Sequence, residues 1–452
     1  MLGRERAKEV LERALTLSEA DQTEAVLMAE DSYLTRFANS EIHQNVAERN
    51  GTLFVRVAFG KKVGHSSTNL LNDEGIALVV ERAAEIASLQ RENPDFTSLP
   101  GAKPIKDVPI YVPETASVTP EMRAAAAGTI IERARKSGLD AFGAVTSGVA
   151  ELGVANSLGV FAYAQGTDAG CNVVVMGDTN SGYAQQASRD FRKLDFDAIG
   201  ARAVEKAEAS RDPIELEAGE GAAVLEPRAV ADMIMFLAFL GFGALSVQEE
   251  RSFMCGKFGQ KIVGENISIW DDGLDERGFA IGFDFEGVPK QRVDFITDGV
   301  ASAVAYDSLT AGKEGKESTG HALIAPNPYG PIPISPVMGT GDSTIEEMIA
   351  DTKRGIYVTR FHYTNTVEPM RAVITGMTRD GTFLIEDGKI TKPLKNLRFT
   401  ESVLSALSCV THISKEAVLV WDGAGYGPRF PTGIIAPAIR VEKFNFSGVT
   451  QF

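Results

Sequence analysis

The chain has 452 residues, of which 44% are hydrophobic and 23% are charged, a composition typical of a folded globular protein with two or three domains. Its formal net charge of −16 argues against a nucleic-acid partner, because binding a phosphate backbone requires a basic surface. Three cysteines, Cys171, Cys255 and Cys409, lie far apart and form no CxxC pair, so neither a disulfide framework nor a thiolate zinc site is predicted.

The expected location is cytoplasmic. Isolated cysteines fit a reducing compartment, and the first residues, MLGRERAKEVLERAL, lack the apolar segment of a secretory signal. The uncharged apolar stretch Met233–Leu245 has 13 residues, whereas a helix that spans a bilayer needs about 20. We therefore expect no membrane association and predict that this stretch belongs to a buried helix.

The N-terminal part predicts an α+β domain over residues 1–95. Apolar residues at helical spacing predict helices at Arg4–Leu17 and Asn72–Leu89. Between them, short alternating runs predict antiparallel strands at Glu24–Met28, Tyr33–Ala38, Glu41–Val46 and Thr52–Phe59. The proline-rich segment Pro94–Ser117 then reads as a linker.

A central α+β domain is expected over residues 118–212. Its first helix has Thr119 as a natural N-cap, Pro120 at the first helical position and Gly138 as the stop. A closing helix is expected at about Asp197–Ser210. Between the two helices, strands are predicted at Ala141–Ser147, Val149–Val154, Val160–Gln165, Asn172–Met176 and Gly182–Ala187.

The remaining region, residues 220–452, predicts a β-rich domain that opens with strand Ala222–Leu225 and helix Pro227–Leu245. This helix is apolar on nearly all faces and should be buried. The run TFLIEDGKI at Thr382–Ile390 predicts a hairpin that turns at Asp387-Gly388. The predicted fold class is therefore α+β: N-terminal α/β sandwich-like modules followed by a β-rich C-terminal domain.

Two further local signals occur in this region. Asp-Gly pairs predict turns at Asp272-Gly273 and Asp380-Gly381. Ser343 and Glu346 have the spacing of a capping box, which predicts a short helix that stops at Gly355.

The sequence lacks the common catalytic motifs. None of its five histidines forms HExxH or HExxxH, and it contains neither a GxxxxGK[ST] phosphate loop nor a GxSxG elbow. A zinc site built from scattered histidines would have to use His321 and His362, and the simpler interpretation makes both ordinary histidines. Cys255 has no histidine nearby to activate it, which favours a structural role.

Two segments are candidates for a binding surface. The 17 residues Pro326–Asp342 are rich in proline and glycine, and long connections of this kind either form binding loops or cover a core. Arg360, Glu368, Arg379 and Arg398 lie in strand-like surroundings, where they either pair inside a core or line a polar cleft.

The C-terminal half resembles the TldD/PmbA family, also called modulators of DNA gyrase. The stretches that carry the resemblance are Phe253–Gly273, Phe283–Val300, Asp307–Ala322, Arg354–Pro369, Thr375–Ser402 and a closing strand near Ala438–Phe444. Gly51–Ser67 and the helix after it extend the likeness into the N-terminal half. The order and spacing of these segments make the resemblance specific, and it covers nearly the whole chain.

This resemblance implies a particular type of member. TldD-type proteins are zinc metallopeptidases with HExxxH on the helix after the first C-terminal strand and a cysteine in a late glycine-rich turn. Here that helix reads MIMFLAFLGFGAL, and the late turn, Asp422–Phe430, has Tyr426 near the cysteine position. The chain is therefore similar to the zinc-less PmbA/TldE type, for which no catalytic residue, metal ligand or cofactor is expected.

The functional expectation follows from that likeness. A PmbA/TldE-type chain pairs with a TldD-like zinc subunit, or with itself, and handles unfolded peptides in a closed dimer cavity during peptide maturation or degradation, including microcin processing and antitoxin turnover. We predict peptide contacts at His321, Arg360 and His362, with the peptide adding to an exposed strand edge. The alternatives are a peptide-binding homodimer without catalysis and an enzyme that uses a different site.

Overall fold

The computed structural model describes residues 1–421 and 429–450. Its N-terminal half contains one antiparallel sheet of six strands in the order β3-β2-β1-β4-β5-β6. The strands are β1 (Gln22–Ala38), β2 (Glu41–Phe59), β3 (Lys62–Thr68), β4 (Asp140–Asn156), β5 (Phe161–Met176) and β6 (Ser181–Ser188). The two predicted N-terminal modules thus share one sheet across the β1–β4 pair, and the domain limits at 95 and 118 remain predictions.

Helices cover one face of this sheet. They are α1 (Arg4–Leu17), α2 (Asp73–Leu89), α3 (Pro113–Ala116), α4 (Pro120–Lys136) and α5 (Phe196–Ala209), with a 3-10 turn at Phe191–Lys193. The predicted caps form: Asn72 accepts a hydrogen bond from the Gly75 amide at 2.9 Å, and Thr119 accepts one from the Met122 amide at 3.3 Å. Gly64 lies so close to α2 that a Cβ would meet the Ala83 carbonyl oxygen at 2.1 Å.

The strands of this sheet are longer than predicted. The four short runs before Asn72 join into β1 and β2, and four of the five central runs join into β4 and β5. Polar residues such as Asp31 and Ser32 interrupt the hydrophobic pattern, yet both stay in β1 because their main chains pair with a strand on each side. Backbone pairing from two neighbours therefore overrides the local pattern.

The C-terminal half is built on a larger sheet. Its strands are β7 (Gly219–Leu225), β8 (Ile269–Asp271), β9 (Val293–Thr297), β10 (Val300–Ala301), β11 (Pro336–Met338), β12 (Arg354–Glu368), β13 (Val373–Glu386), β14 (Lys389–Pro393), β15 (Leu397–Ser402), β16 (Val410–Val420) and β17 (Ile434–Val449). Successive pairings join β7, β12, β13, β15 and β17, and β17 pairs again with β7, so these five strands close a ring.

Among the described residues, five helices lie in this half of the chain. They are α6 (Pro227–Gly241), α7 (Ala244–Gln248), α8 (Ser308–Lys313), α9 (Ile345–Ala350) and α10 (Val403–Ser408), with a 3-10 turn at Pro369–Arg371. None of the helices in the described part of the chain is long and apolar enough to cross a membrane. The mixed fold, mostly sheet, confirms the predicted α+β class.

Local predictions in this half have mixed outcomes. The β13–β14 hairpin is confirmed, with Asp387 and Gly388 at φ values of 46° and 77°. The turn at Asp380-Gly381 is wrong, because both residues lie inside β13, where the register shifts. The capping box is also displaced by one residue: Thr344 and Glu347 cap α9 reciprocally, and α9 ends at Ala350, before Gly355.

Helix α6 is shorter than predicted, and ten of its 15 residues are buried. It ends at Gly241, and α7 follows after a break. Leu237 is 0% exposed in the core, whereas Phe239 is 48% exposed and its ring lies 5.6 Å from that of Tyr329. The predicted burial of this helix is therefore confirmed for most of its residues and fails at Phe239.

A matched pair of substitutions tests this orientation. Leu237→Ala should lower the free energy of unfolding by about 2–5 kcal/mol, because it leaves a cavity in a packed core. Phe239→Ala should cost much less, since that side chain is half-exposed. Chemical denaturation of both variants measures the difference; equal losses would show that the outer face of α6 is buried as well.

The second face of the six-stranded sheet rests on the C-terminal half through a buried ion cluster. The Arg56 guanidinium donates to Glu24 at 2.7 Å and to Glu286 at 3.1 Å. Glu286 in turn accepts the Ser308 amide at 3.0 Å. Burial, opposed by Arg56 and reinforced by Glu286, raises the pKa of Glu24 from 4.5 to about 7.

Removing Arg56 should therefore destabilise the protein strongly. Arg56→Met leaves two buried carboxylates without a counter-ion, which costs about 3–5 kcal/mol near pH 8. Because the pKa of Glu24 is raised, its protonation favours the native state below pH 4.5, and this contribution is lost as pH rises through 7. The cost of the substitution should accordingly be smaller at pH 5 than at pH 8.

Denaturation curves at the two pH values measure this cost. Arg49→Met is the matched control, because Arg49 pairs with Asp31 on the same sheet at 2.7 Å but is 74% exposed in its side chain. Its loss should stay below about 1 kcal/mol. Equal losses for the two arginines would contradict a buried role for Arg56.

Candidate functional site

A cavity of about 970 Å³ lies between the two halves of the chain. Strand β6 and helix α5 form one wall, and the start of α6, β12, α9 and β16 form the other. Charged residues of both signs line it: Asp195, Arg202, Glu205, Lys206, Glu226, Arg228, Glu346, Lys415 and Glu416. A space of this volume with polar walls suits a small or extended polar ligand.

The first turn of α6 anchors the cavity wall. Glu226 precedes the helix, its amide donates to the Val358 carbonyl at 3.0 Å, and Pro227 takes the first helical position. The Glu226 carboxylate accepts a hydrogen bond from the Tyr357 hydroxyl at 2.6 Å and pairs with Lys206 at 2.5 Å. One carboxylate thereby ties together α5, α6 and β12.

Beside the cavity, arginines face each other across two strands. Arg360 on β12 lies directly opposite Arg379 on β13, and like charges in this position repel. The 2%-exposed Asp380 carboxylate accepts from Arg360 Nε at 2.7 Å and from the Ser181 hydroxyl at 2.8 Å. The Arg360 guanidinium also lies 4.4 Å from the centre of the Tyr183 ring, so this group joins β12 to β6.

His362 shares this cationic surrounding. It follows Arg360 by two residues on the same face of β12, and its ring lies 4.3 Å from that of Tyr363. Burial, followed by the charges of Arg360 and Arg379, lowers the pKa of His362 to about 4, against the opposing charge of Asp380. The imidazole is therefore neutral at physiological pH.

His321 lies elsewhere in the fold. It is 0% exposed, its Nε2 lies 3.1 Å from Asp271 Oδ1, and its Nδ1 lies 2.9 Å from the Thr319 hydroxyl. Burial, and then the charge of Lys290, lowers the pKa of His321. The structure thus brings Arg360 and His362 together and separates His321 from them. Peptide contact at these three residues remains a prediction.

The long proline-rich connection is partly ordered by the sheet. Residues Pro336–Met338 form β11, which pairs with β8 and β17, so Pro326–Asp342 is not one continuous loop.

Sequence reasoning also missed Glu226, Lys206 and Tyr357. A glutamate before a proline at the end of a strand is a signal for the helix start, but nothing in the sequence reveals its partner on α5.

Zinc does not fit α6. This helix contains no histidine, and its carboxylate, Asp232, pairs with Arg228 at 2.9 Å. Across residues 1–421 and 429–450, no three His, Cys, Asp or Glu side chains are grouped as metal ligands. The predicted late turn at Asp422–Phe430, including Tyr426, lies outside the described residues except at its last two positions.

Comparison with known families agrees with this architecture. The model for the PmbA/TldA metallopeptidase C-terminal domain matches residues 218–448. The chain belongs to the PmbA/TldD family. Models for domain 1 and the central domain of the same metallopeptidases match residues 24–87 and 113–211. The family resemblance drawn from the sequence is confirmed.

Curated relatives of this chain are matched over only part of their sequences. An uncharacterized protein of Methanocaldococcus jannaschii is 34% identical over 181 residues, which cover 40% of this chain and 43% of that protein. A metalloprotease TldD homolog of Haemophilus influenzae is 28% identical over 208 residues, which cover 44% of this chain and 42% of that protein. The matched segments thus span less than half the length of these curated relatives.

Solved structures share the whole fold. TldE from Thermococcus kodakarensis superposes with a TM-score of 0.88 at 22% identity, covering 98% of this chain and 99% of that one. A putative modulator of a DNA gyrase from Thermotoga maritima gives 0.85 at 19% identity, covering 97% and 99%. At this level of identity the likeness establishes the fold alone.

The environment of His362 is testable by NMR titration of the imidazole. The His362 resonances should titrate near pH 4, and Arg379→Gln should raise the pKa because it removes one of the cations that disfavour the imidazolium. Arg251→Gln, at an exposed arginine of the α7–β8 connection, is the control and should leave the titration unchanged. A His362 pKa near 6.5 in the unmodified chain would contradict this arrangement.

Proposed function

We propose that this chain is the non-catalytic subunit of a peptide-processing complex and works with a TldD-like zinc subunit. The observation that carries the proposal is α6: the helix that bears the zinc ligands in TldD-type members is here a packing helix without histidine. The chain keeps the family fold while this helix offers no groups to activate water. Its role is then to hold peptides that a partner cuts.

The cavity supports peptide holding. Its opposite walls include two edge strands, β6 and β16, each of which pairs with one strand of its own sheet. Among residues 1–421 and 429–450, the outer edge of β16 bonds to residues 341–343 only near Ser414, and Glu416–Val420 continue along the cavity. An extended peptide that adds to a strand edge satisfies main-chain donors and acceptors without sequence-specific pockets.

Co-expression of this chain with a TldD-like zinc subunit, followed by a peptide-turnover assay, tests the proposal. The two should co-purify when the HExxxH-bearing relative from the same source is co-expressed, and turnover of an unfolded peptide should require both. Elemental analysis should find no stoichiometric zinc in this chain alone. The control replaces the first glutamate of HExxxH in the partner, which should abolish turnover without affecting assembly.

Each other outcome has a distinct meaning. Peptide cleavage by this chain alone would overturn the proposal in favour of an enzyme with a different site. A stable homodimer that binds peptide and ignores the zinc relative would favour the peptide-binding homodimer. A monomer at high concentration that binds neither the relative nor a peptide would count against all three functions.

A further inference from the structure

A long stretch of strand edge is unpaired at one side of the six-stranded sheet. β3 pairs with β2 only over residues 53–59. Within residues 1–421 and 429–450, no other strand and no main-chain hydrogen bond reaches the outer side of β2 between Glu41 and Asn50. Nine of these ten residues are exposed, and Val46 is half-buried. The edge is therefore open to solvent.

The register of β2 shows which main-chain groups face this edge. A two-residue turn at Gly60-Lys61 connects β2 to β3, and such a turn joins a hydrogen-bonded pair, here Phe59 and Lys62. Bonding alternates along an antiparallel pair, so every second residue back from Phe59 points away from β1. The register has no shift as far back as Gln44. The open edge therefore receives the amides and carbonyls of Asn45, Ala47 and Arg49.

Little in this segment protects the edge against another strand. Free edges are commonly protected by proline, by lysine or by a bulge. Residues 41–50 contain neither proline nor lysine, and their one bulge, at His43, lies near the β1–β2 turn. Between residues 44 and 50 the charges of Glu48 and Arg49 cancel. The segment from residue 44 to residue 50 thus offers a regular strand edge without net charge.

The main-chain groups of this segment complement a second copy of themselves. Two antiparallel copies that meet about a two-fold axis at Val46 place Asn45 of one copy opposite Ala47 of the other. Both residues direct their amides and carbonyls to the open edge. Each such pair exchanges two hydrogen bonds, which gives about four across the axis.

The side chains on the face of Val46 are also self-complementary. Val46 lies opposite Leu34 of β1, and both are half-buried in the single chain. At the axis Val46 would meet its own copy in a non-hydrogen-bonded pair, where side chains approach most closely. Gln44 would lie opposite Glu48 on each side of the axis, so that an amide donor meets a carboxylate. Registers centred on Ala47 or Glu48 would place the Glu48 carboxylate opposite Val46 or opposite itself, and both are unfavourable.

We propose that the open edge of β2 binds the same edge of a second copy of this chain, antiparallel and with Val46 at the two-fold axis. The two six-stranded sheets then join into one sheet. The contact lies near the β3 end of the sheet, whereas the cavity lies at β6, so it is independent of the proposed peptide-holding role. Few side chains take part, and we therefore expect a monomer–dimer equilibrium in place of a permanent dimer.

Sedimentation velocity of the full-length chain over a concentration series tests the proposal. The unmodified chain should shift from monomer to dimer as its concentration rises. Ala47→Pro removes an amide that makes no bond in the single chain, and proline is tolerated on edge strands where its nitrogen faces outward. This variant should weaken dimerisation about ten-fold or more and leave the melting temperature of the monomer unchanged. Arg251→Gln is the control and should change neither.

A charge exchange tests the register. Gln44→Glu places like charges opposite each other on both sides of the axis and should weaken dimerisation about three- to ten-fold. Adding Glu48→Lys to that variant creates an attractive pair and should recover the affinity. Within one copy, residues 44 and 48 lie about 13 Å apart along the strand, too far for a direct contact. Rescue therefore requires a second copy.

The results decide for or against the contact. A chain that stays monomeric at the highest concentration would overturn the proposal. A dimer that Ala47→Pro leaves intact would do the same, since it would use another surface. If Ala47→Pro lowers the stability of the monomer, the charge variants still decide, because residues 44 and 48 are exposed. Failure of Glu48→Lys to rescue Gln44→Glu would overturn the register centred on Val46.

Discussion

The pairing of β7 with β17 is the constraint on which the C-terminal half depends. β7 is the strand that leads into α6, and β17 is the last strand described before the end of the chain. Their pairing closes the ring through β12, β13 and β15, at the entropic cost of joining residues more than 200 positions apart. Phenylalanines inside the ring offset that cost: Phe361, Phe399 and Phe444 contact one another with ring centroids 4.3–5.6 Å apart. Ring closure then fixes where α6 starts and hence where the cavity wall lies.

The same strand register sets both the core and the charge of the outer face. A slip of one residue along β12 would turn Phe361 outward and drive Arg360 into the aromatic core. Burial of the phenylalanines opposes such a slip by roughly 1.5–3 kcal/mol for each side chain, and an unpaired guanidinium in the core would add to the penalty. The repulsion between Arg360 and Arg379 is small by comparison, and Asp380 relieves part of it. Core packing can therefore keep Arg360 and Arg379 side by side on the outer face, although the repulsion between their charges disfavours this arrangement.

Local patterns in the sequence predicted the elements with strong local chemistry. Such elements include the helix caps Asn72 and Thr119 and the turn at Asp387-Gly388. Each depends on contacts within a few residues, so it can be predicted without knowledge of the fold. The Asp380-Gly381 pair has the same residue types, yet it forms a β-bulge inside β13 and not a turn. In this conformation the Asp380 carboxylate accepts a hydrogen bond from Arg360. Only the pairing of β12 with β13, and the side-chain contacts of both with the distant β6, select between turn and bulge. The sequence singled out Arg360 and His362, whose peptide contacts remain predictions, and did not single out Glu226 or Lys206, which pair with each other across the two halves of the chain.

The burial of α6 also explains why a single substitution would not give this chain a zinc site. Met233, Ile234 and Leu237 are 1%, 0% and 0% exposed and pack in the largest apolar cluster of the described residues. An imidazole there would lose its hydrogen bonds to water and leave part of the apolar volume unfilled, and each change destabilises the native state by about 1–3 kcal/mol. A metal ion could repay this only if several ligands converged on it at once. The apolar helix therefore packs against the strand ring, at the position where the family resemblance implies the zinc ligands of TldD-type members.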